Sequence, residues 1–185
     1  MILVSIEKAE AAAALDDIET IVARVKQSRI YRNAGTMLIL WGALCALGYV
    51  LTYLRPASAN LFWAGIVIVG TIASLAVSVD RGPVTGRYKW RILAMLALII
   101  GFGLIWSRLL GQMGWRETAA FWPTVFMFCY TVAGLWFGRL FVVLGIAITA
   151  LTIAGYFWSG PALTLYMALV EGGGMMLCGF VMRRA

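Results

Sequence analysis

From residue 34 onward, long apolar runs alternate with short polar or glycine- and proline-bearing breaks. Six runs stand out, at 34–54, 61–79, 92–110, 118–137, 140–158 and 163–182. Each is roughly 20 residues long, and at about 1.5 Å rise per residue such a helix crosses a hydrocarbon core of about 30 Å. The breaks read RPASAN, DRGPVTGRYKWR, GQMGWRE, Gly138-Arg139 and SGPA. Links this short leave successive helices as antiparallel neighbours. The pattern predicts an all-α, multi-pass membrane protein with six transmembrane helices in three antiparallel hairpins.

The first 33 residues follow a different rule. Leu15, Ile18, Val22 and Val25 recur at a 3-4-3 spacing and share one helical face. Asp16, Asp17 and Glu19 lie early, whereas Arg24, Lys26, Arg29 and Arg32 lie late, so charge complements the helix dipole. The expected organisation is a cytoplasmic amphipathic helix over 1–33 and a membrane domain over 34–185. Three roles fit that helix. It can lie among anionic headgroups, pair through its apolar stripe with a partner or a second copy, or simply extend the first span.

Composition agrees with a lipid environment. The chain is 63% hydrophobic and only 12% charged, with a mean hydropathy of +0.92, more apolar surface than a water-exposed fold tolerates. The net charge of +7 does not point to direct nucleic-acid binding, because the cations sit in the breaks. Counted at alternate helix ends, 12 Lys and Arg residues fall on one side and three (Arg55, Arg108, Arg116) on the other. The positive-inside rule then predicts a bacterial inner-membrane protein with both termini cytoplasmic. Trp63, Trp106, Trp115, Trp122 and Trp158 are expected at the outer interface, with Trp90 and Trp136 at the inner one. MILVSIEK lacks the form of a signal peptide, so the first span is expected to direct insertion.

The chemistry available is narrow. There is no histidine, which excludes imidazole bases and His-ligated metals or haem. Cys45, Cys129 and Cys178 lie inside apolar runs at no metal-ligand spacing. No cofactor and no enzymatic activity are expected.

One carboxylate falls deep in the membrane: Glu171, followed by Gly172, Gly173 and Gly174. At that depth a carboxylate costs roughly 2.5–3.5 kcal/mol on insertion scales, so it must face the bundle or a watery cavity, or be protonated. Thr149 and Thr152 are candidate companions at similar depth, with Cys45, Tyr49 and Thr124 as further candidates; Arg108 would reach it only across water. Two readings stand: a site for a cation, proton or amine, or a carboxyl satisfied within a packed bundle. The glycines either admit a neighbouring helix or mark a broken helix lining a site. Pro123, early in the fourth run, is expected in a first helical turn.

RIYRNAG, LWGALCALGYVLTYL and GYFWSGPALTLYMALVEGGGMMLCGFVMRR resemble stretches of a group of poorly characterised bacterial six-helix inner-membrane proteins of this length. The resemblance implies glycine at the position of Glu171 in that group, and membrane partners of small winged-helix regulators among its members. The functional expectation is a non-enzymatic inner-membrane scaffold or sensor that presents its amphipathic helix to a partner or the membrane surface. The alternative is a small-molecule binding or transport subunit built on Glu171, similar in size to the substrate-binding subunits of energy-coupling-factor transporters but without a vitamin-site signature.

Overall fold

The computed structural model describes residues 2–79 and 86–184; side chains are described for 18, 21, 22, 25 and from 27 on, except 78–79 and 86–93. Helices and the turns between them account for all described residues, with no strand among them. Helix α1 runs unbroken over Ile2–Leu54, 53 residues, or about 80 Å of rod. It stops where the sequence dictates. Pro56 bars the helical conformation at the residue before it, and Arg55 turns to φ −140°, ψ 77°.

A single 3₁₀ turn, Pro56–Ser58, leads into α2 (Ala59–Val79). Then come α3 (Gly86–Leu104), widening into a π turn at Ile105–Leu110, and α4 (Trp115–Phe137). Helix α5 (Arg139–Trp158) is followed by a second 3₁₀ turn, Gly160–Ala162. The last span is α6 (Leu163–Met167), a π turn at Ala168–Gly173, and α7 (Gly174–Arg184). Among the described residues, five stretches are long and apolar enough to cross a membrane: Gln27–Leu54, Pro56–Val77, Trp115–Phe137, Arg139–Trp158 and Gly160–Arg184. Ala94–Leu110 is a shorter apolar helix. The described residues thus have the make-up of a helical membrane protein.

Two expectations need amending. Helix α4 begins at Trp115, not 118, because Gly114 is extended (φ −66°, ψ 179°) and opens the helix there. Pro123 therefore lies in the interior of α4, not in its first turn. The hydropathy pattern placed Arg116 and Glu117 in the loop, but a helix need not end where the apolar run does. The tryptophans also divide. Trp115, Trp136 and Trp158 are exposed, whereas Trp63 packs against Gly48, and Trp122 against Gly103. No turn separates residues 2–33 from the first span.

The bundle is organised on α1. Its partner along the membrane is the last span, which runs antiparallel to it: Gly35 meets Gly179, and Gly42 meets Gly172 and Met176. A Cβ at Gly35 would lie 2.6 Å from the Gly179 carbonyl oxygen, and one at Gly179 2.6 Å from that of Gly35. Lipid supplies no hydrophobic drive between helices, so close backbone approach over small residues is what holds such a pair. Both glycine pairs are seven residues apart, the period that keeps one seam facing its partner.

Helix α2 packs on another face of α1, where Trp41 covers Gly70 and its Nε1 donates to Ser74 Oγ at 3.0 Å. Helices α4 and α5 pair closely through Gly134 and Gly145. Their connecting residue, Gly138 (φ +128°), is seated against the Tyr31 hydroxyl of α1. Helix α3 lies at the edge, held by Gly103 under Trp122 and by Arg108, which donates to Asn60 Oδ1 at 2.7 Å. Arg29, Arg32, Arg139, Arg183 and Arg184 thus gather at the Gly35–Gly179 end. Arg55, Arg108 and Arg116 lie at the other.

Candidate functional site

The three glycines of the last span have three different surroundings. Gly172 admits Ala46 of α1 (a Cβ would sit 2.6 Å from the Ala46 Cβ), Gly174 faces Ile148 of α5 at 3.3 Å, and Gly173 faces open space. The span is neither a plain α-helix nor broken: it widens into the π turn that carries Glu171. A π turn weakens the regular ladder and re-aims the residues in it, and such turns are frequent at functional sites.

Glu171 is buried, and its Oε2 has no hydrogen-bond partner among the described residues. Its carboxyl faces the Tyr49 hydroxyl, with Cys45 one turn away on the same face of α1. Tyr49 is itself buried, and its hydroxyl donates to the Ala119 carbonyl oxygen of α4 at 3.3 Å. That acceptor exists because of Pro123. Proline has no N–H to give the carbonyl four residues back, so the Ala119 oxygen is left for a side chain, the usual remedy for proline in a membrane helix. Tyr49 thus ties α1 to α4 beside Glu171.

Thr152 of α5 is fully buried, and its Oγ1 likewise lacks a partner. Gly155 opposite Tyr166 and Ile148 opposite Gly174 set the antiparallel register of α5 on the last span. That register places Thr152 about level with residues 169–170 of the last span. Thr149 is half-buried on the same helix. Thr124 and Arg108 do not join the group: the threonine hydroxyl donates to the Ala120 and Phe121 carbonyls, and the arginine goes to Asn60. Among the described residues no three His, Cys, Asp or Glu side chains gather as metal ligands. Two cavities of about 270 Å³ open elsewhere on the bundle, and Glu171 lines neither.

The amphipathic stripe is a second candidate. Ile18, Val22 and Val25 are all more than half exposed, and Ile21, which the sequence reading passed over, joins them at 59%. The Leu15 side chain lies outside the described residues. Sequence reasoning also missed Gly35, Gly42 and Ala46 as the surface receiving the last span; the seven-residue glycine spacing was the available signal. The part played by Pro123 left no such trace, since it shows only once Tyr49 is seen reaching the Ala119 oxygen.

The sequence matches no family model, and no curated protein or solved structure resembles it significantly.

Proposed function

We propose that this chain is a non-enzymatic scaffold or sensor of the bacterial inner membrane, with six spans in three hairpins and both termini cytoplasmic. Its output is the helical segment before the first span, offered to a cytoplasmic partner, to a second copy or to the membrane surface. One observation carries the reading: α1 is a single helix that both forms the core seam of the bundle and extends well beyond its apolar span, with Ile18, Ile21, Val22 and Val25 exposed. A rod continuous with the bundle transmits any tilt of the first span to that stripe.

Ile18→Asp combined with Val25→Asp is expected to abolish co-purification of a cytoplasmic partner while leaving membrane insertion and yield unchanged. Co-purification unaffected by the double substitution would refute the reading.

A second reading rests on the buried, unpartnered oxygens of Glu171 and Thr152. It makes the last span, with Tyr49 and Thr149, a binding site for a small cationic or protonated species. Native mass spectrometry of the purified protein separates the two: a retained small ligand lost on Glu171→Gln favours binding, whereas a retained protein favours the scaffold.

A further inference from the structure

At the end of the bundle opposite the Gly35–Gly179 contact, α4 and α5 border a groove of about 270 Å³. Glu117, Phe121 and Thr124 line one wall, and Ile153, Tyr156 and Phe157 the other. Ile153 and Phe157 are exposed, so the groove opens on the lipid-facing surface rather than into the core. Below its mouth it offers little but hydrocarbon, because the Thr124 hydroxyl is committed to the Ala120 and Phe121 carbonyls at 3.1 and 2.8 Å.

The mouth is different, because two opposite charges are fixed on one tyrosine without being paired to each other. Glu117 Oε1 accepts from the Tyr156 hydroxyl at 3.2 Å. The Arg116 guanidinium lies 5.6 Å from the Tyr156 ring centroid and donates to the backbone oxygens of Gly160 and, at 2.7 Å, Tyr156. Those two bonds leave Arg116 with N–H donors to spare, since a guanidinium has five. A carboxylate and an aromatic ring in the lining of an apolar slot, with a guanidinium held against that ring just outside the lining, complement one chemistry: a positive and a negative charge joined on a hydrocarbon chain.

We propose that this groove binds a phospholipid with a zwitterionic, amine-bearing headgroup. The ammonium sits on Glu117, where the carboxylate attracts a cation and the Tyr156 hydroxyl, its proton given to Glu117, still has an oxygen lone pair to accept. The phosphate lies against Arg116, a planar donor suited to it, and one acyl chain runs down between Phe121 and Ile153. An anionic headgroup satisfies Arg116 equally well but meets repulsion at Glu117, so the carboxylate sets the preference.

The test uses the whole protein in vesicles of equal parts phosphatidylethanolamine and phosphatidylglycerol, followed by native mass spectrometry of retained lipid. The unsubstituted protein is expected to retain phosphatidylethanolamine over phosphatidylglycerol by about tenfold, a difference of ~1.4 kcal/mol. Glu117→Gln should erase that preference, and Ala120→Leu, which narrows the groove floor, should reduce retention of both lipids. A second measurement needs no variant: brominated phosphatidylethanolamine should quench tryptophan fluorescence more than brominated phosphatidylglycerol at equal mole fraction. Equal retention of the two lipids, equal quenching, or a preference that survives Glu117→Gln would each overturn the assignment.

Discussion

Gly179→Leu is expected to unfold the pairing of α1 with the last span, at a cost of about 3 kcal/mol, the upper end of the usual range for overpacking, read as loss of folded protein in mild detergent. A Cβ at position 179 would already stand 2.6 Å from the Gly35 carbonyl oxygen and 2.8 Å from Ile39 Cγ1. Neither neighbour has an easy escape, because the first is backbone and the second is packed on α1. The helices must separate, and separation forfeits the van der Waals contact that stands in for a hydrophobic drive in lipid. Gly173 supplies the contrast. A Cβ there meets nothing within 4 Å, so Gly173→Ala is expected to be neutral or slightly stabilising. If the two substitutions behave alike, the glycine seam does not hold the bundle.

Glu171→Leu is expected to act in the other direction, raising stability by about 2–3 kcal/mol, the order of the insertion cost of a carboxylate at this depth. The carboxyl holds little, one hydrogen bond with Tyr49. Its Oε2 bonds to nothing described, and the Tyr49 hydroxyl beside it already donates to the Ala119 oxygen that Pro123 frees. Removing the acid ends its hydrogen bond with Tyr49 but leaves that hydroxyl the Ala119 acceptor, and leucine fills a similar volume. Tyr49→Phe should do the opposite, costing about 1–3 kcal/mol by leaving a buried carbonyl unmet. Thermal unfolding of both variants in the same detergent checks the pair. A stabilised Glu171→Leu protein marks a residue kept for something other than folding, as natural proteins retain destabilising groups where function needs them. A destabilised one makes the carboxyl a structural member of the seam.

Much of this architecture is legible in the sequence. Hydropathy located five helices long enough to cross a bilayer and one shorter apolar helix, Ala94–Leu110, though the first begins at Gln27 and not 34, because a bilayer leaves the backbone few alternatives to helix. The breaks at Arg55-Pro56 and Ser159-Gly160 marked helix ends, and its place within an apolar run singled out Glu171. Three things were hidden, each for a physical reason. The start of α4 at Trp115 depends on the extended backbone of Gly114, and hydropathy is blind to backbone angles. The pairing of α1 with the last span joins residues more than 130 positions apart along the chain, as Gly35 and Gly179 show, and local periodicity carries no such information. The π turn at Ala168–Gly173 is a choice of hydrogen-bond pattern within an apolar run whose composition allows either form. The apolar stripe from Ile18 to Val25 was visible as a periodicity; its continuity with the first span, through one unbroken helix, was one of three open alternatives.

The central claim is that the bundle spans a bilayer with the Arg139 and Arg183 end in the cytosol and the Arg55 end outside. Single cysteines at Arg55 and Arg139, probed with a membrane-impermeant maleimide on intact cells and on inverted vesicles, test it most directly. The account predicts that Arg55→Cys reacts only from outside and Arg139→Cys only from the cytosolic face. Labelling of both from the same compartment would contradict it.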